Sequence, residues 1–335
     1  MTQLLTTTTA LAASFIMFTP PADAAGKFNQ PGNILITDQF NNRVIEVSRG
    51  GDIVWSYGSG GASQCTAGPG TVIAPNDAER LAGSLTLIAG TGTSSCPDNR
   101  VIVVDEGGNI VFQYGEAGMA GAKDGLLNTP VFAVQTTDGY LITDQGNNRI
   151  IEVGPNGEIL YKYGPLGGGG KLNSPNSAEL LADGDILIAD ENNNRAFEID
   201  PASNDKIVWA YKKNLNVVAF ASRLPDGDTL IADSGNNRII EVTPAKRITF
   251  TYYTNRGPNS NANPNPTGAV RLADGNTLIT DQFNNRVILI SPAQKILFQY
   301  GTTNVVGIGP NQLNAPYSAV SIGDYTGLTP PPPVK

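Results

Sequence analysis

The residues that could do chemistry in this sequence are carboxylates, arginines and two cysteines, because the chain contains no histidine. Ser-His-Asp and Cys-His catalysis, histidine zinc sites and the commonest general base are therefore excluded. No glycine loop followed by Lys and Ser or Thr is present, so a P-loop is excluded as well. The chemistry that remains is carboxylate or lysine catalysis, or an oxygen-ligated cation such as Ca²⁺.

Many of these carboxylates and arginines belong to a repeated motif. The string LITDQFNNRVIEV at 35–47 returns as LITDQGNNRIIEV at 141–153, and its Asp-to-Arg core returns at 190–195, 233–238 and 281–286. A sixth, degenerate copy occupies 87–104. The later aspartates follow one another at intervals of 46, 43 and 48 residues, and each repeat holds four short β-prone runs. A period in the forties with four strands is typical of a propeller blade, and the chain holds six such units.

The two ends of the chain each carry an incomplete repeat, and the two parts complement each other. The first repeat begins at Pro31 with its second strand, whereas 315–324 reads as an isolated first strand. With 38 Gly, 23 Pro and only 16% charged residues, the composition suits short strands joined by tight turns. We therefore predict an all-β, six-bladed propeller of four antiparallel strands per blade, closed when the C-terminal strand joins the N-terminal blade.

The N-terminal residues resemble a secretory leader. A short apolar run is followed by Ala22-Asp23-Ala24, an A-x-A cleavage pattern, although no Lys or Arg precedes the run. We expect a signal peptide at 1–24, the propeller at 25–325 and a proline-rich tail at 326–335. No apolar run reaches the roughly 20 residues of a membrane span. These features predict a periplasmic or secreted protein.

Charge and cysteine content narrow the partners and the compartment. A net charge of −8 disfavours nucleic acid and anionic membranes, which need a basic surface. Cys65 and Cys96 fit an oxidising compartment if they form a disulfide. The alternative, two unrelated buried thiols, stays open because spacing alone does not prove a bridge.

The repeated core Leu-Ile-x-Asp-x-x-Asn-Asn-Arg-(Val/Ile)-Ile-Glu-Val resembles the NHL repeat. The string GDIVWSY at 51–57 is similar to strings in quinoprotein-like and arylsulfotransferase-like propellers. The resemblance covers 31–324 and implies the fold, whereas propellers host many unrelated functions. It does not extend to sulfotransfer, because that family's sulfate-carrying residue is a histidine. The missing histidine also argues against amidating-lyase and antibiotic-lyase propellers.

The recurring aspartates have a structural and a functional interpretation. In the structural one, each carboxylate accepts hydrogen bonds from turn amides or from the motif arginine, while Asn-Asn makes the turn. In the functional one they form a ring of metal ligands. We favour the structural interpretation, since one carboxylate per blade leaves the group too far apart to share an ion. The aspartates are Asp38, Asp144, Asp190, Asp233 and Asp281.

A second set of charged residues falls on the predicted inner strands. As the strictosidine-synthase and gluconolactonase-like propellers suggest, inner carboxylates could act with a divalent metal in the channel, and inner arginines could hold an anion. Alternatively, these residues pair with one another as ion pairs between blades. The candidates are Asp77, Glu79, Arg80, Glu179, Arg223 and Arg271.

Aromatic residues distinguish the two blades that meet at the closure. Phe40 and Phe283 occupy turn positions that hold Gly146 and Gly235 in two other blades, and Tyr317 enters the closing strand between them. Binding sites on repeat scaffolds lie where loops depart from the common pattern. We therefore predict an aromatic ligand-binding cleft at Phe40, Phe283 and Tyr317. The alternative is that these rings plug the top of the barrel.

The function these patterns favour is a non-catalytic, extracytoplasmic binding or protein-interaction scaffold that needs no cofactor. Its partner would be a protein, a glycan or a small molecule bound on the face that carries the irregular loops. The alternative is a Ca²⁺-dependent enzyme of the lactonase or lyase type, with its carboxylates in the central channel.

Overall fold

Each sequence repeat forms one antiparallel sheet, and six four-stranded sheets make up the ring. The computed structural model describes residues 27–164 and 171–333, so the predicted signal peptide lies outside the described residues. The architecture confirms the all-β, six-bladed propeller. Within the described part of the chain, no helix has the length and apolar character of a membrane span.

The strands of each blade are called a to d from the channel outward. Blade 1 contains β1 (Ile34–Asp38), β2 (Arg43–Val47), β3 (Ile53–Tyr57) and, as its strand a, β24 (Pro316–Ser321). Blade 2 contains β4 (Pro75–Arg80), β5 (Thr86–Gly92), β6 (Pro97–Val104) and β7 (Ile110–Tyr114). Blade 3 contains β8 (Pro130–Gln135), β9 (Tyr140–Asp144), β10 (Arg149–Val153) and β11 (Ile159–Tyr163).

The second half of the ring repeats this order. Blade 4 contains β12 (Pro175–Leu180), β13 (Ile186–Asp190), β14 (Arg195–Asp200) and β15 (Lys206–Tyr211). Blade 5 contains β16 (Val218–Arg223), β17 (Thr229–Asp233), β18 (Arg238–Val242) and β19 (Ile248–Tyr253). Blade 6 contains β20 (Gly268–Arg271), β21 (Thr277–Asp281), β22 (Arg286–Ile290) and β23 (Ile296–Tyr300).

Short 3₁₀ turns connect the strands. Five of them form the b–c turns, and each of these five is followed by an asparagine in the left-handed region, such as Asn42 with φ 52°. Asparagine tolerates this conformation better than most residues. The 3₁₀ turns are Gln39–Asn41, Ala82–Ser84, Gln145–Asn147, Glu191–Asn193, Pro201–Ser203, Ser234–Asn236 and Gln282–Asn284. The b–c turns and d–a connections share one side of the ring, here the loop face, and the a–b and c–d turns share the other, the turn face.

The ring closes as the sequence predicts. The C-terminal strand β24 pairs antiparallel with β1, placing Ile34 opposite Ser321 and Ile36 opposite Ala319. Beyond the strand, the backbone N–H of Ile322 donates to the carbonyl oxygen of Asn33 at 2.8 Å. The inner edge of β1 is therefore covered, and blade 1 has four strands like the other blades.

The core lies between the blades. Strand b of blade 1 reads ILITD and is buried at every position, because each sheet packs against a neighbour on both faces. Tyrosines that end strand d close the outer gap, and Tyr57, Tyr163 and Tyr300 are buried. Large rings suit this position because the gap between blades widens toward the rim.

The repeated aspartate fastens the loops of its own blade. In blade 1, Oδ1 of Asp38 accepts the backbone N–H of Asn314 at 2.7 Å, and Oδ2 accepts Nε of Arg43 at 2.8 Å. Asp144, Asp190 and Asp233 make the same two kinds of contact. The structural interpretation of the aspartates therefore agrees with their contacts.

The second asparagine of the motif fastens the next blade. Oδ1 of Asn42 accepts the backbone N–H of Ala74 at 2.9 Å, and Ala74 has a left-handed φ of 42° immediately before strand β4. In the same way, Oδ1 of Asn148 accepts the backbone N–H of Ser174 at 2.7 Å, and Oδ1 of Asn285 accepts that of Ala315 at 2.9 Å. These bonds stabilise a left-handed residue at the entry to strand a, where its backbone conformation is costly.

In blade 2, different residues make the contacts that the repeated aspartate makes in other blades. The regular aspartate position is Gly90, which lies opposite Arg100, and the carboxylate comes instead from Asp98 in the insertion. Asp98 accepts the backbone N–H of Ile73 at 2.7 Å and Nε of Arg100 at 2.6 Å. A Cβ on Gly90 would lie 2.8 Å from this carboxylate, so the glycine makes room for the substitute.

A disulfide joins Cys65 to Cys96, as the sequence predicts. Cys65 lies on the connection between blades 1 and 2, and Cys96 lies on the b–c connection of blade 2. Both connections belong to the loop face. The bridge therefore ties the entry of blade 2 to its irregular turn.

Candidate functional site

The central channel is lined by the innermost strands of the six blades, and its wall is mostly apolar. Phe132 and Phe220 face each other there with ring centroids 5.9 Å apart. Three carboxyl groups interrupt this wall: Asp77 and Glu79 on β4, and Glu179 on β12. All three were predicted as channel-lining candidates from the sequence.

These carboxyl groups are satisfied by protein hydrogen bonds. Asp77 accepts a hydrogen bond from the backbone N–H of Ala133, and Glu79 accepts one from that of Gln135. Both bonds are 3.3 Å long, and both donors belong to the next blade. Glu179 accepts the backbone N–H of Thr329 at 2.8 Å. Among the ion pairs of the described residues, none involves Asp77, Glu79 or Glu179.

Burial keeps these three carboxyl groups protonated to a higher pH than usual. Burial raises the pKa of Asp77 to about 6 and that of Glu179 to about 7. The pKa of Glu79 is raised well above its usual value by burial and by the nearby charges of Glu179 and Asp77. Burial therefore favours the neutral acid over the carboxylate at all three positions.

The channel carboxyls do not fit a Ca²⁺ site in this arrangement. Calcium takes six to eight oxygens that converge on one point. Within residues 27–164 and 171–333, the acidic groups that do converge are Asp183 with Asp185 and Glu198, and Asp226 with Asp228 and Glu241. In each group the two aspartates lie on an a–b turn and the glutamate lies on strand c of the same blade, outside the channel.

The predicted anion-holding arginines form ion pairs between blades. Arg80 pairs with Glu46 at 2.7 Å, Arg223 pairs with Glu198, and Arg271 pairs with Glu241 at 2.6 Å. The expectation that they pair with Asp77, Glu79 or Glu179 is therefore wrong. Alternate residues of a strand point to opposite faces, so Arg80 sits next to Glu79 in sequence but meets strand c of the preceding blade.

A polar network closes the channel toward the loop face. Tyr317 on blade 1 reaches across the ring, and its hydroxyl oxygen accepts the side-chain N–H of Asn176 on blade 4 at 2.7 Å. Asn176 also donates to Glu191 at 2.6 Å, and Gln145 donates to the same carboxylate at 3.1 Å. Tyr317 is thus a channel-lining residue whose hydroxyl is directed across the ring.

The C-terminal residues close the opposite end. Both the backbone N–H and the hydroxyl of Thr329 donate to Glu179, and Leu328 packs against the buried cluster that includes Val134 and Phe220. Tyr325 donates its hydroxyl to the carbonyl oxygen of Arg80 at 2.7 Å. The part of the predicted tail that precedes residue 334 therefore contributes its own contacts beneath the channel.

The loop face carries an exposed apolar patch, defined here as Phe40, Val305, Val306 and Ile308. Their exposed fractions are 40%, 42%, 60% and 46%. Two hydrogen bonds hold the two parts of the patch together: Phe40 N–H donates to the carbonyl oxygen of Asn314 at 3.1 Å, and the Asn41 side chain donates to that of Gly307 at 2.8 Å. Phe283, by contrast, is half-buried.

Val305, Val306 and Ile308 were not predicted from the sequence as candidate binding residues. They lie in the connection between blades 6 and 1, and the signal for them was three apolar residues in a loop rich in glycine and asparagine. Glu46, Glu198 and Glu241 were also overlooked as partners of the arginines. Their signal was the Glu that recurs three positions after the motif arginine.

Comparisons with known proteins identify the fold. No family model and no curated protein sequence matches the chain. Among solved structures, a protein of unknown function from Bacteroides caccae is similar with 14% identity and a TM-score of 0.63, covering 87% of this chain and 98% of that one. Streptogramin B lyase follows with 16% identity and a TM-score of 0.56, covering 83% and 82%. A structure of a nidogen/laminin complex matches with 14% identity and a TM-score of 0.56, covering 86% and 97%.

At these identities the likeness shows a six-bladed propeller and nothing finer. The neighbours include a lyase and a component of a protein complex, so the fold alone does not separate catalysis from binding. No match supports the NHL assignment itself, which remains a resemblance of the repeated motif.

Proposed function

We propose that this chain is a non-catalytic binding propeller of the periplasm or extracellular space, with a protein partner that docks on the loop face. The observation that carries the proposal is the apolar patch of Phe40, Val305, Val306 and Ile308. Exposed apolar side chains that lie together on a folded surface mark interaction sites more often than single ones do. Phe283, on the neighbouring turn of blade 6, would contribute at the edge of the same surface.

The channel supports this proposal by what its side chains already do. The arginines are used in ion pairs between blades, and the carboxyls accept backbone hydrogen bonds. Tyr317 and Thr329 cover its two ends. A small substrate would have to displace these contacts before it met a reactive group.

A protein partner fits the patch better than a glycan or small molecule does. The patch stands on the surface and is rimmed by polar loop residues, an arrangement typical of protein interfaces. Burial of apolar area contributes about 25 cal/mol per Å² before the cost of association, so four side chains supply much of a modest affinity. The nidogen/laminin structure shows that a propeller of this fold can occur in a protein complex.

The extracytoplasmic compartment is supported by the Cys65–Cys96 disulfide and by the leader-like sequence at 1–24. Disulfides persist in oxidising compartments and are rare in the cytosol.

The test is a double substitution, Phe40→Ser with Val306→Ser, compared with Val111→Ser on the outer edge of blade 2. Val111 is 56% exposed and lies far from the patch, so it is a matched loss of exposed apolar surface. We expect the double variant to unfold within about 1 kcal/mol of wild type, as surface substitutions do. Partner binding should fall at least tenfold in the double variant alone. Equal binding by all three proteins would refute the proposal.

The competing enzyme function rests on the three buried carboxyls of the channel. If they recruited Ca²⁺, saturating calcium would raise the melting temperature, since a ligand at 100 times its Kd adds about 2.7 kcal/mol. We expect no shift with Ca²⁺, Mg²⁺ or Mn²⁺. A shift that Glu179→Gln abolishes would favour the enzyme.

A further inference from the structure

Among the described residues, the ion pair between strand c and the next strand a crosses three of the six blade junctions, and the junction between blades 6 and 1 is one of the three that lack it. Strand c supplies a glutamate and the next strand a supplies an arginine in Glu46–Arg80, Glu198–Arg223 and Glu241–Arg271. Between blades 6 and 1, the same two positions hold Leu289 and Ser321. A leucine in place of the carboxylate and a serine in place of the long arginine leave this junction open.

The open junction is an apolar groove on the turn face. Leu272, Leu278, Leu289 and Phe298 line it from blade 6, and Ile34 lines it from blade 1. Leu297 stands at the rim and is 51% exposed. At the junction between blades 1 and 2, the corresponding region is covered by Phe28, whose ring lies 6.1 Å from that of Trp55 and 4.4 Å from the guanidinium of Arg80.

A single charged residue lines the groove, Arg49 from the c–d turn of blade 1. Six positions after the motif arginine, blades 3 to 6 have proline, at Pro155, Pro201, Pro244 and Pro292, whereas blade 1 has Arg49. Its guanidinium lies over Gly32, where a Cβ would approach Nε to 2.7 Å. Within the described chain, Arg49 takes part in no ion pair.

We propose that this groove binds a small apolar carboxylate. The carboxylate pairs with Arg49, and the hydrocarbon part packs against Leu278, Leu289 and Phe298. The ligand thus provides a carboxylate at a junction where strand c has Leu289 in place of a glutamate. Charge complementarity selects an anion, and the apolar wall selects an alkyl or aryl chain over a sugar acid. This site is on the opposite side of the ring from the apolar patch and does not depend on the proposed partner.

Titration calorimetry with octanoate, octan-1-ol and octylammonium tests the proposal on the full chain. We expect octanoate to bind at least fivefold more tightly than octan-1-ol, and octylammonium to bind more weakly than both. Arg49→Ala should remove the preference for octanoate over octan-1-ol. Arg247→Ala, which removes an exposed arginine from the c–d turn of blade 5, is the matched control and should leave all three affinities unchanged.

A second variant fills the groove. Leu289→Glu with Ser321→Arg copies the residues of the three junctions that carry the ion pair, so it should fold and should abolish binding of both octanoate and octan-1-ol. Octanoate binding that survives this variant would overturn the proposal. So would equal affinities for octanoate and octan-1-ol in wild type, or equal losses in Arg49→Ala and Arg247→Ala, which would indicate a general charge effect.

Discussion

Tyr317 and Asn176 are joined by a 2.7 Å hydrogen bond across the channel, although they belong to opposite blades of the ring. Tyr317 belongs to the closing strand and Asn176 to strand β12 of blade 4. The contact therefore links the end of the chain to the middle of the chain. It also places a phenol where a substrate would enter the channel.

Tyr317→Phe removes this hydrogen bond and retains the aromatic side chain. We expect a loss of about 1 kcal/mol in the free energy of unfolding, because Asn176 keeps its bond to Glu191 and loses only one partner. Chemical denaturation measures the difference. Tyr140→Phe is the control, since that ring packs on Phe112 at 4.3 Å and its hydroxyl makes no hydrogen bond within the described residues. Equal losses in the two variants would contradict this account of Tyr317.

The buried carboxyls make stability depend on pH. The folded pKa values of Asp77 and Glu179 are raised, to about 6 and about 7, above the ordinary values of 3.8 and 4.5. Between pH 4 and 7 the folded state binds more protons than the unfolded state, so stability is present at low pH and is lost as pH rises. One pKa unit corresponds to about 1.4 kcal/mol, which makes the loss on the order of 3 kcal/mol for Asp77.

Glu179→Gln tests this linkage, since the amide keeps the shape of the acid and does not titrate. The unfolding free energy of wild type should fall between pH 5 and pH 8, and that of the variant should fall less. At pH 8 the variant should be the more stable protein. Parallel pH profiles for the two proteins would show that Glu179 is not protonated in the fold.

The disulfide should contribute about 3–4 kcal/mol in the chain-entropy model, given the sequence separation of 31 between Cys65 and Cys96. Cys65→Ser with Cys96→Ser should lower the free energy of unfolding by that amount. Reduction of wild type should match the double variant, whereas reductant should leave the variant unchanged. A wild-type protein insensitive to reductant would mean that the bridge adds no stability.

Closure of the ring predicts that a chain ending at Asn314 does not fold cooperatively. It lacks strand β24, so β1 loses its partner and two blade faces become exposed. A chain ending at Pro330 retains β24 and Thr329 and should melt like the full protein. Circular dichroism melts compare the two. A cooperative melt of the shorter chain at the wild-type temperature would refute closure by this strand.

The repeat made most of the fold predictable. The six blades follow from where the Asp-to-Arg motif recurs, and the closing strand follows from where the repeat is incomplete. Asp98 could not be predicted as the substitute for Gly90, because the insertion that carries it has no counterpart in the other blades. The partners of Arg80, Arg223 and Arg271 were misjudged because only acids of the inner strands were considered, whereas the glutamates come from strand c of the preceding blade.

The candidate site was less predictable than the fold. The sequence placed Phe40 at an irregular turn, and the structure exposes it beside Val305, Val306 and Ile308. Tyr317 was grouped with Phe40 because both lie near the closure. The direction of a side chain on an inner strand depends on its register, and Tyr317 points into the channel instead.

Position-specific photo-crosslinking in the native host tests the central claim most directly. A photoreactive phenylalanine analogue is placed at Val306, in the apolar patch, and separately at Asp183, an exposed residue on the turn face. We predict one crosslinked protein species from position 306, absent from position 183, with a yield that falls at least tenfold when Phe40→Asp is added. The same species from both positions, or an undiminished yield with Phe40→Asp, would contradict a partner-binding loop face.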